Sequence, residues 1–417
     1  MPVPTKPGAA LATVSSPDGL FAALQSAHAG DTILLAAGTY GAINLNGFHF
    51  DGPVNIQSAD LGNEAVLTGL TLNGSSGLSF NHLVMTTPGG TAVTVMDSSN
   101  VAFSALTVHG TTGSDDGVGF MVRDSSGVSI TGSDFSKIGS GIGHVHDSGL
   151  TVSNNTFHDL QTDGVFGAGS SHVVISGNSF SNFHPLPGDH PDAIQLWGNT
   201  DGSPGNDVTI SNNIITRGSG DVIQGIFIES TDNVTITGNA LTGTMYNGIS
   251  VSTTDHAVIS GNFVQGFTDM DSRIVVRGQS VDVSVLHNTA QSVINVQDGG
   301  LPNPGYVASD NTIIAGTTAS DLSGVNAWLA THAGVGAVQI PPVVPPVVVI
   351  PPVVVAPVVA PPVVVAPPPI EPPVTGGDDH GFNQAPPNWA EIQDLIAHDI
   401  AAQLKVFFMS HTDWAIF

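Results

Sequence analysis

Between about Leu70 and Asn311 the chain repeats itself roughly every two dozen residues, and each unit closes on an asparagine. The clearest closings are Val152-Ser153-Asn154-Asn155, Ile175-Ser176-Gly177-Asn178, Ile210-Ser211-Asn212-Asn213, Ile236-Thr237-Gly238-Asn239, Ile259-Ser260-Gly261-Asn262 and Leu286-His287-Asn288. A second marker precedes each closing: Ser140-Gly141-Ile142, Asp163-Gly164-Val165, Gln224-Gly225-Ile226 and Asn247-Gly248-Ile249. Short Val/Ile/Thr/Ser stretches lie between the markers, without helical spacing. A unit this small cannot bury its apolar side alone, so the units must stack as the coils of a β-solenoid. Asparagines in register then form a ladder, each amide satisfying backbone groups of a neighbouring coil.

Glycine is abundant, at 50 of 417 residues, as many tight turns require. The formal net charge is −27, with only seven Lys plus Arg. Such a chain lacks the cationic surface needed to displace counterions from nucleic acid, and it is repelled by anionic membranes. An anionic polymer must therefore meet a local basic patch or a bound cation, and the free carboxylates suit Ca²⁺. The absence of cysteine excludes disulfides and thiolate metal sites. The opening Met1-Pro2-Val3-Pro4-Thr5-Lys6 has no signal-peptide pattern, and no unbroken apolar run reads as a membrane span.

After an N-terminal extension (1–19), Leu20 to Ala29 reads as a short helix with Asp18 as its N-cap and Leu20, Phe21 and Leu24 on its apolar face. The segment Ala29-Gly30-Asp31-Thr32-Ile33-Leu34-Leu35-Ala36-Ala37-Gly38-Thr39-Tyr40 follows. Helix and segment together resemble the opening of the right-handed parallel β-helix proteins of the pectate-lyase-like superfamily, nearest in type to alginate lyases and mannuronan C5-epimerases. The resemblance implies an all-β, right-handed parallel β-helix over 20–339, its first coil covered by the helix. It also implies a secreted protein acting on polysaccharide. From Ile340 the chain is almost wholly Pro, Val and Ala, a polyproline-II spacer taken to span 340–384. In 385–417, Asn388 and Glu391 have capping-box spacing, and Ile392, Leu395, Ile396, Ile400 and Leu404 share a helical face. The ending Asp413-Trp414-Ala415-Ile416-Phe417 resembles the uncleaved signal of type I secretion substrates. That implies the type I export machinery as a partner and an extracellular, bacterial setting.

Aligning the coils on the second marker gives a column Asp116, Ser140, Asp163, Asp192, Gln224, Asn247, Ser272. Side chains alternate along strands. With Ile194, Leu196, Ile226, Ile228, Ile249, Val251, Ile274 and Val276 inward, the outward face carries Gln195 and Trp197, Phe227 and Glu229, Ser250 and Ser252, and Arg273 and Arg277. Gln195 to Arg273 would span three coil steps, roughly 14 Å, the length of a few sugars. Trp197 and Phe227 offer stacking surfaces, Gln195 and Glu229 polar contacts, and the two arginines bidentate partners for carboxylates. The equally weighted structural reading pairs those arginines with Asp269, Asp271 and Glu229. The interval Asn178 to Asn213 is the longest, because a loop around Phe183-His184-Pro185-Leu186-Pro187-Gly188-Asp189-His190-Pro191-Asp192 interrupts the repeat. It delivers Asp189, His190 and Asp192 to the same strand as candidates for acid–base work or for Ca²⁺, with an Asx turn as the structural alternative. Tyr246 enters the same face as a candidate proton carrier. His144 and His146 are candidates for a transition-metal site with a third ligand.

These residues fit proton abstraction at C5 of a uronic acid, the step shared by β-elimination and epimerisation. Arg273 or Ca²⁺ would neutralise the carboxylate, and His190 or Tyr246 would take the proton. Two alternatives stand beside it. One is glycoside hydrolysis by Asp189 or Asp192 with Glu229. The other is a non-catalytic adhesin or matrix protein that binds sugar without changing it.

Overall fold

The computed structural model describes residues 10–111, 117–297 and 303–332. The spacer (340–384), the C-terminal segment (385–417) and the Asp115-Asp116 pair lie outside them. Within them the chain winds into about thirteen turns whose strands form three parallel sheets. Sheet A has 13 strands, sheet B 12 and sheet C 11 among the described residues. One coil shows the order: Ser171–Ser176 in sheet A, Ser179–Ser181 in sheet B, Asp192–Trp197 in sheet C.

The winding begins upstream of the sequence repeat. Ala10–Val14 already pairs with Thr32–Leu35 in sheet A. Between them runs helix α1 (Pro17–Ser26). It starts earlier than expected and its N-cap is Ser16, whose hydroxyl accepts the Gly19 amide at 3.1 Å, not Asp18. Pro17 takes the first helical position, where a missing N–H costs nothing, and Asp18 falls into the first turn, where its charge suits the helix dipole. Leu20 and Leu24 are buried, and Phe21 packs on the core. A second helix, α2 (Ser323–Thr331), packs Val325 and Trp328 against Ile214, Ala240 and Phe263 on the outside of sheet B.

The interior is a set of in-register files. Sheet A sends Phe80, Phe103, Ile130, Val152, Ile175, Ile210, Ile236 and Ile259 inward, all fully buried. In sheet B, Phe135, Phe157 and Phe180 stack at 4.7 and 4.8 Å between ring centroids. Identical residues meet identical residues because parallel coils keep one register, which is how a thin solenoid reaches crystal-like packing.

Two ladders hold the corners. At the A-to-B corner, each buried asparagine from Asn155 to Asn288 donates its amide to a main-chain carbonyl one coil back and accepts from the preceding ladder residue. Asn213 is typical: its Nδ2 donates to Ile175 O (2.9 Å) and to Asn239 Oδ1 (3.0 Å), while its Oδ1 accepts the Asn178 backbone amide (2.9 Å) and side-chain amide (3.0 Å). The ladder expected from the repeat is therefore present, and it ends on Asn311. At the C-to-A corner a ladder of hydroxyls runs Ser75, Ser98, Ser125, and is then taken over by a carboxylate, Asp147. Asp147 accepts the amides of Ser125 (2.8 Å) and Val145 (3.2 Å), and its own amide donates to Ser170 Oγ (3.0 Å). Burial pushes its carboxyl up to about 7, against the pull of those two amides and with a smaller push from the Asp124 charge.

Candidate functional site

Sheet C changes character along its length. In the coils around His144 to Arg277 its outward face is polar and aromatic, and it lies below the inserted loop that ends at Pro191. The strands Asp192–Trp197, Gln224–Glu229, Asn247–Ser252 and Arg273–Gly278 are consecutive neighbours. Register places Gln195 beside Phe227 and Ser250, followed by Val275. A second file runs Glu229, Ser252, Arg277. The inward places are those expected: Ile194, Ile226, Ile249 and Ile274 are fully buried and in register.

Arg273 does not join the Gln195 file. An irregularity at Gly248 shifts the pairing, so Arg273 lies opposite Asn247 at the strand starts, and Val275 takes the place next to Ser250. The marker column accordingly ends on Arg273, and Ser272 instead bonds Thr244 through its hydroxyl at 2.7 Å. At the other end of the column Val118 pairs with Ser140. An alignment without bulges could not see the shift at Gly248.

Arg277 is the centre of this face. Its guanidinium carbon lies 5.3 Å from the centroid of the Phe227 ring, a cation–π stack. Burial pulls the guanidinium down from its usual range, and the charges of Glu229, Tyr246 and Asp192 oppose that pull. Phe227 is 6% exposed. It is a support beneath the arginine, not an open stacking surface, which corrects its expected role as a sugar platform. Gln195, 9% exposed, is likewise recessed. Trp197, Glu229, Arg273 and Arg277 are partly accessible, and Tyr246 is 44% exposed. Arg273 Nη2 sits 3.6 Å from Asp271 Oδ2, a partly exposed pair. Asp269 is engaged by Arg217, through Nη1 at 2.6 Å and Nη2 at 3.2 Å.

The loop acids and histidine behave differently from one another. Asp189 and His190 are exposed. The Gln224 side-chain amide donates to His190 Nδ1 at 3.3 Å, and its carbonyl oxygen in turn accepts from Asn247 Nδ2. That chain of donors assigns the His190 proton to Nε2 in the neutral ring. Asp192 is fully enclosed, and neither of its carboxylate oxygens has a hydrogen-bond partner. Burial and the neighbouring Asp163 hold its carboxyl well above the usual range, with Arg277 pulling the other way. Asp163 accepts the Asp192 amide at 2.8 Å. Burial lifts it to about 6, against that bond and the His190 charge. Asp163 is thus the turn-forming acid of this column, as its marker position implied. An enclosed Asp192 cannot reach a polymer on the surface, which argues against its expected roles as surface acid, base or ligand. Among the described residues, no group of three or more His, Asp or Glu is placed to hold a metal ion.

His144 is a correction of a different kind. It lies in the inward file of Val122, Gly167 and Leu196 and is 1% exposed, while His146 sits beyond the strand in a left-handed turn with φ 56°. The two do not share a face, so they form no joint metal site. The His144 ring is housed by Gly167 in the next coil, where a Cβ would lie 2.4 Å from the imidazole. Its Nδ1 meets Ser170 Oγ at 2.9 Å, its Nε2 has no partner, and burial pulls its pKa down to about 4. A small cavity beside it is lined by Ser170, Trp197 and Thr231 among others.

Sequence reasoning missed a cluster on sheet B. His158 Nδ1 lies 2.6 Å from Asp159 and its Nε2 3.2 Å from Asp134, and His184 Nε2 lies 3.4 Å from Asp159. The hydrogen bond to Asp134, opposed by burial and aided by Asp159, lifts His158 to about 9. The side chains come from successive coils, and nothing in their sequence spacing advertised the meeting.

Three parallel sheets, in-register files and cornering ladders agree with a comparison of the sequence with known families. A model described as the right handed beta helix region matches residues 54–203 and 117–264, together just over half of the chain. The chain belongs to the right-handed β-helix family. No curated protein matches it. Among solved structures it is similar to pectate lyase Pel9A, at 15% identity over 78% of this chain and 86% of that one, with a TM-score of 0.47. It is also similar to a mannuronic acid specific family 6 lyase from human gut microbiota, at 14% identity over 73% and 82%, TM-score 0.48. The Dettilon tailspike protein matches at 14% identity over 72% of this chain and 64% of the tailspike, TM-score 0.50. At such identities the likeness is one of fold.

Proposed function

We propose that this β-helix acts on an acidic, uronate-bearing polysaccharide laid across sheet C, as a lyase or C5-epimerase that removes the C5 proton. The observation that carries the reading is Arg277: a cation in a chain of net charge −27, stacked on Phe227 and set among Glu229 and Tyr246 on an accessible face. A uronate carboxylate placed on Arg277 has its charge neutralised where the C5 carbanion develops, which is where stabilisation matters most. Tyr246, exposed and within electrostatic reach of Arg277, carries the proton. Trp197, three coils from Arg277 along the stack, supports a neighbouring sugar. His190 enters two coils from Tyr246, about 10 Å along the stack, so it contacts an adjacent sugar through its Nε2–H. Arg273, one coil beyond Tyr246 and opposite Asn247, is a second anion contact. Asp192 and Asp163 shape the floor from below.

Hydrolysis by Asp189 or Asp192 with Glu229 finds less support, because Asp192 is enclosed and only Asp189 is left to pair with Glu229. A partner of this kind places the protein outside the cell, and the ending Asp413-Trp414-Ala415-Ile416-Phe417 is proposed to engage type I export. Among the described residues, no helix is long and apolar enough to cross a membrane.

The test is incubation with alginate, pectate and glucuronan, with Ca²⁺ and with chelator. It is read by near-ultraviolet absorbance for unsaturated ends and by proton NMR for inverted residues. The expected result is one of these signals, reduced about 100-fold or more in Tyr246→Phe and lost in Arg277→Ala. New reducing ends without unsaturation would transfer the protein to the hydrolases, and binding without any product would make it an adhesin. A chelator-sensitive signal would assign Ca²⁺ a part in carboxylate binding.

A further inference from the structure

The outward face of sheet C does not begin at its charged residues. In the coils just before them two outward files run in register: Met121, Gly143 and Phe166 in one, and Val145, Ala168 and Trp197 in the other. No charge occupies any of these six places. A Cβ on Gly143 would lie 2.6 Å from the Phe166 ring and 2.7 Å from Met121, so its bare backbone lets those two side chains close over it. Met121, Val145 and Ala168 are nearly covered, whereas Phe166 and Trp197 are partly exposed. The surface is therefore low and apolar, with two aromatic rings presented from successive strands. The second file begins one coil earlier with Arg123, whose Nε is held by Asp124 at 3.1 Å, and continues past Trp197 to Glu229, Ser252 and Arg277. The turns flanking the apolar stretch carry the exposed acids Asp124, Asp189 and Asp201, with His146 and His190 beside them.

An acidic polymer crossing this sheet meets two different surfaces. Trp197 lies three coil steps from Arg277, roughly 14 Å, and Phe166 lies four, roughly 19 Å. A uronate at Arg277 has a cation to neutralise it. A carboxylate over Trp197 or Phe166 would be laid on an aromatic ring, would lose water without gaining a partner, and would stand among acids in a chain of net charge −27. An uncharged sugar has the opposite balance, because its C–H face covers an aromatic ring and sheds water there. A homopolymer of uronates would bear the charge penalty at every unit over the apolar stretch. A chain whose uronate is followed by uncharged units would not.

We infer that the polymer held on sheet C is a heteropolysaccharide, with its uronate at Arg277 and uncharged sugars stacked on Trp197 and Phe166. The inference rests on the polysaccharide reading of this face and narrows it. The experiment is calorimetric titration of the full chain with polysaccharide fragments of equal length. Alginate and pectate fragments carry a carboxylate on every unit, whereas hyaluronan and gellan fragments have uncharged units between their uronates. At least one heteropolymer should bind about tenfold tighter than either homopolymer. Phe166→Ala and Trp197→Ala should each remove most of that advantage and leave alginate binding within about twofold. Phe166→Lys should also strengthen alginate binding, because it supplies a cation where the homopolymer lacks one. Arg277→Ala should weaken both classes. Thermal melts followed by circular dichroism check that each variant keeps its fold, and the two aromatic sites guard against one variant unfolding. Equal or tighter binding of the homopolymers, or a heteropolymer advantage that survives both folded aromatic variants, would overturn the inference and leave the proposed function standing. Binding of no fragment, or binding indifferent to Arg277→Ala, would overturn the proposed function and this inference with it.

Discussion

Sheets A and C are built from the same coils, with equally strict inward files, yet their outward faces have opposite habits. Sheet A repeats Ser and Thr, and its alternation of partly exposed and buried places hardly varies from coil to coil. Sheet C varies at every step: Gln195, Phe227, Ser250 and Val275 occupy one file, and loops of unequal length enter and leave it. Of the groups whose protonation is most displaced, Asp147, Asp163, Asp192 and His144 belong to sheet C or to its corners, and His158 to sheet B. Regularity satisfies polar groups by repetition. Irregularity leaves some of them strained or unpartnered, and such groups are where chemistry is usually found.

The comparison can be broken by substitution. The largest effect is expected in a ladder, where a repeated residue serves several coils at once. Asn213→Ala removes the acceptor for two Asn178 donors and a donor to Ile175, so it should cost about 3–5 kcal/mol in denaturant unfolding. A loss below about 1 kcal/mol would mean that water replaces the ladder. Next is Gly167→Ala, whose methyl would collide with the His144 ring; overpacking of this kind costs about 1–3 kcal/mol. The double variant with His144→Ala should recover part of that loss, which a double-mutant cycle would reveal.

Asp147 gives a smaller, pH-dependent effect. Its folded pKa, about 7, lies above its ordinary value of 3.8, so the folded state holds a proton that the unfolded chain has released. Its contribution is therefore full below the unfolded value and is lost as pH rises towards 7. His144 acts in the other direction: the unfolded ring takes a proton below about 6.5 while the buried one resists until about 4, so stability falls as pH drops through that window. Asp147→Ser restores the hydroxyl ladder, and should flatten the decline between pH 4 and 7 in melting temperature while leaving the acid-side loss due to His144. An unchanged profile would show that Asp147 is not the group responsible. The smallest effect belongs to the regular face, where Ser153→Ala should change stability by no more than about 0.5 kcal/mol. A larger change would mean that sheet A hydroxyls support the fold.

Most of the fold was legible because a solenoid repeats its instructions. Asn178, Asn213 and Asn239 announce the corner, and Val/Ile alternation announces the strands; both signals recur until chance is excluded. The capping helix was legible except for its start, since Ser16 and Asp18 are both competent caps and only Pro17 at the first helical position separates them. The strands of the candidate site were placed correctly, and Arg277 was found by its rarity in an acidic chain. Arg273 was misplaced because a single unpaired residue at Gly248 leaves no compositional trace. Phe227 and Asp192 were read as accessible because alternation tells which side a residue faces, but not what lies above it.

The sequence by itself therefore determined the coil, its period of roughly two dozen residues, its polar corners and the sides of each strand, because these follow from local pattern and from register between like residues. Only the tertiary structure decided depth and encounter. It enclosed Asp192 beside Asp163, put Arg277 over Phe227, turned His144 into the core where Gly167 makes room, and brought His158 between Asp134 and Asp159. Those outcomes depend on bulges, loop paths and the volume of residues one coil away, and distances of that kind are not written in any single repeat.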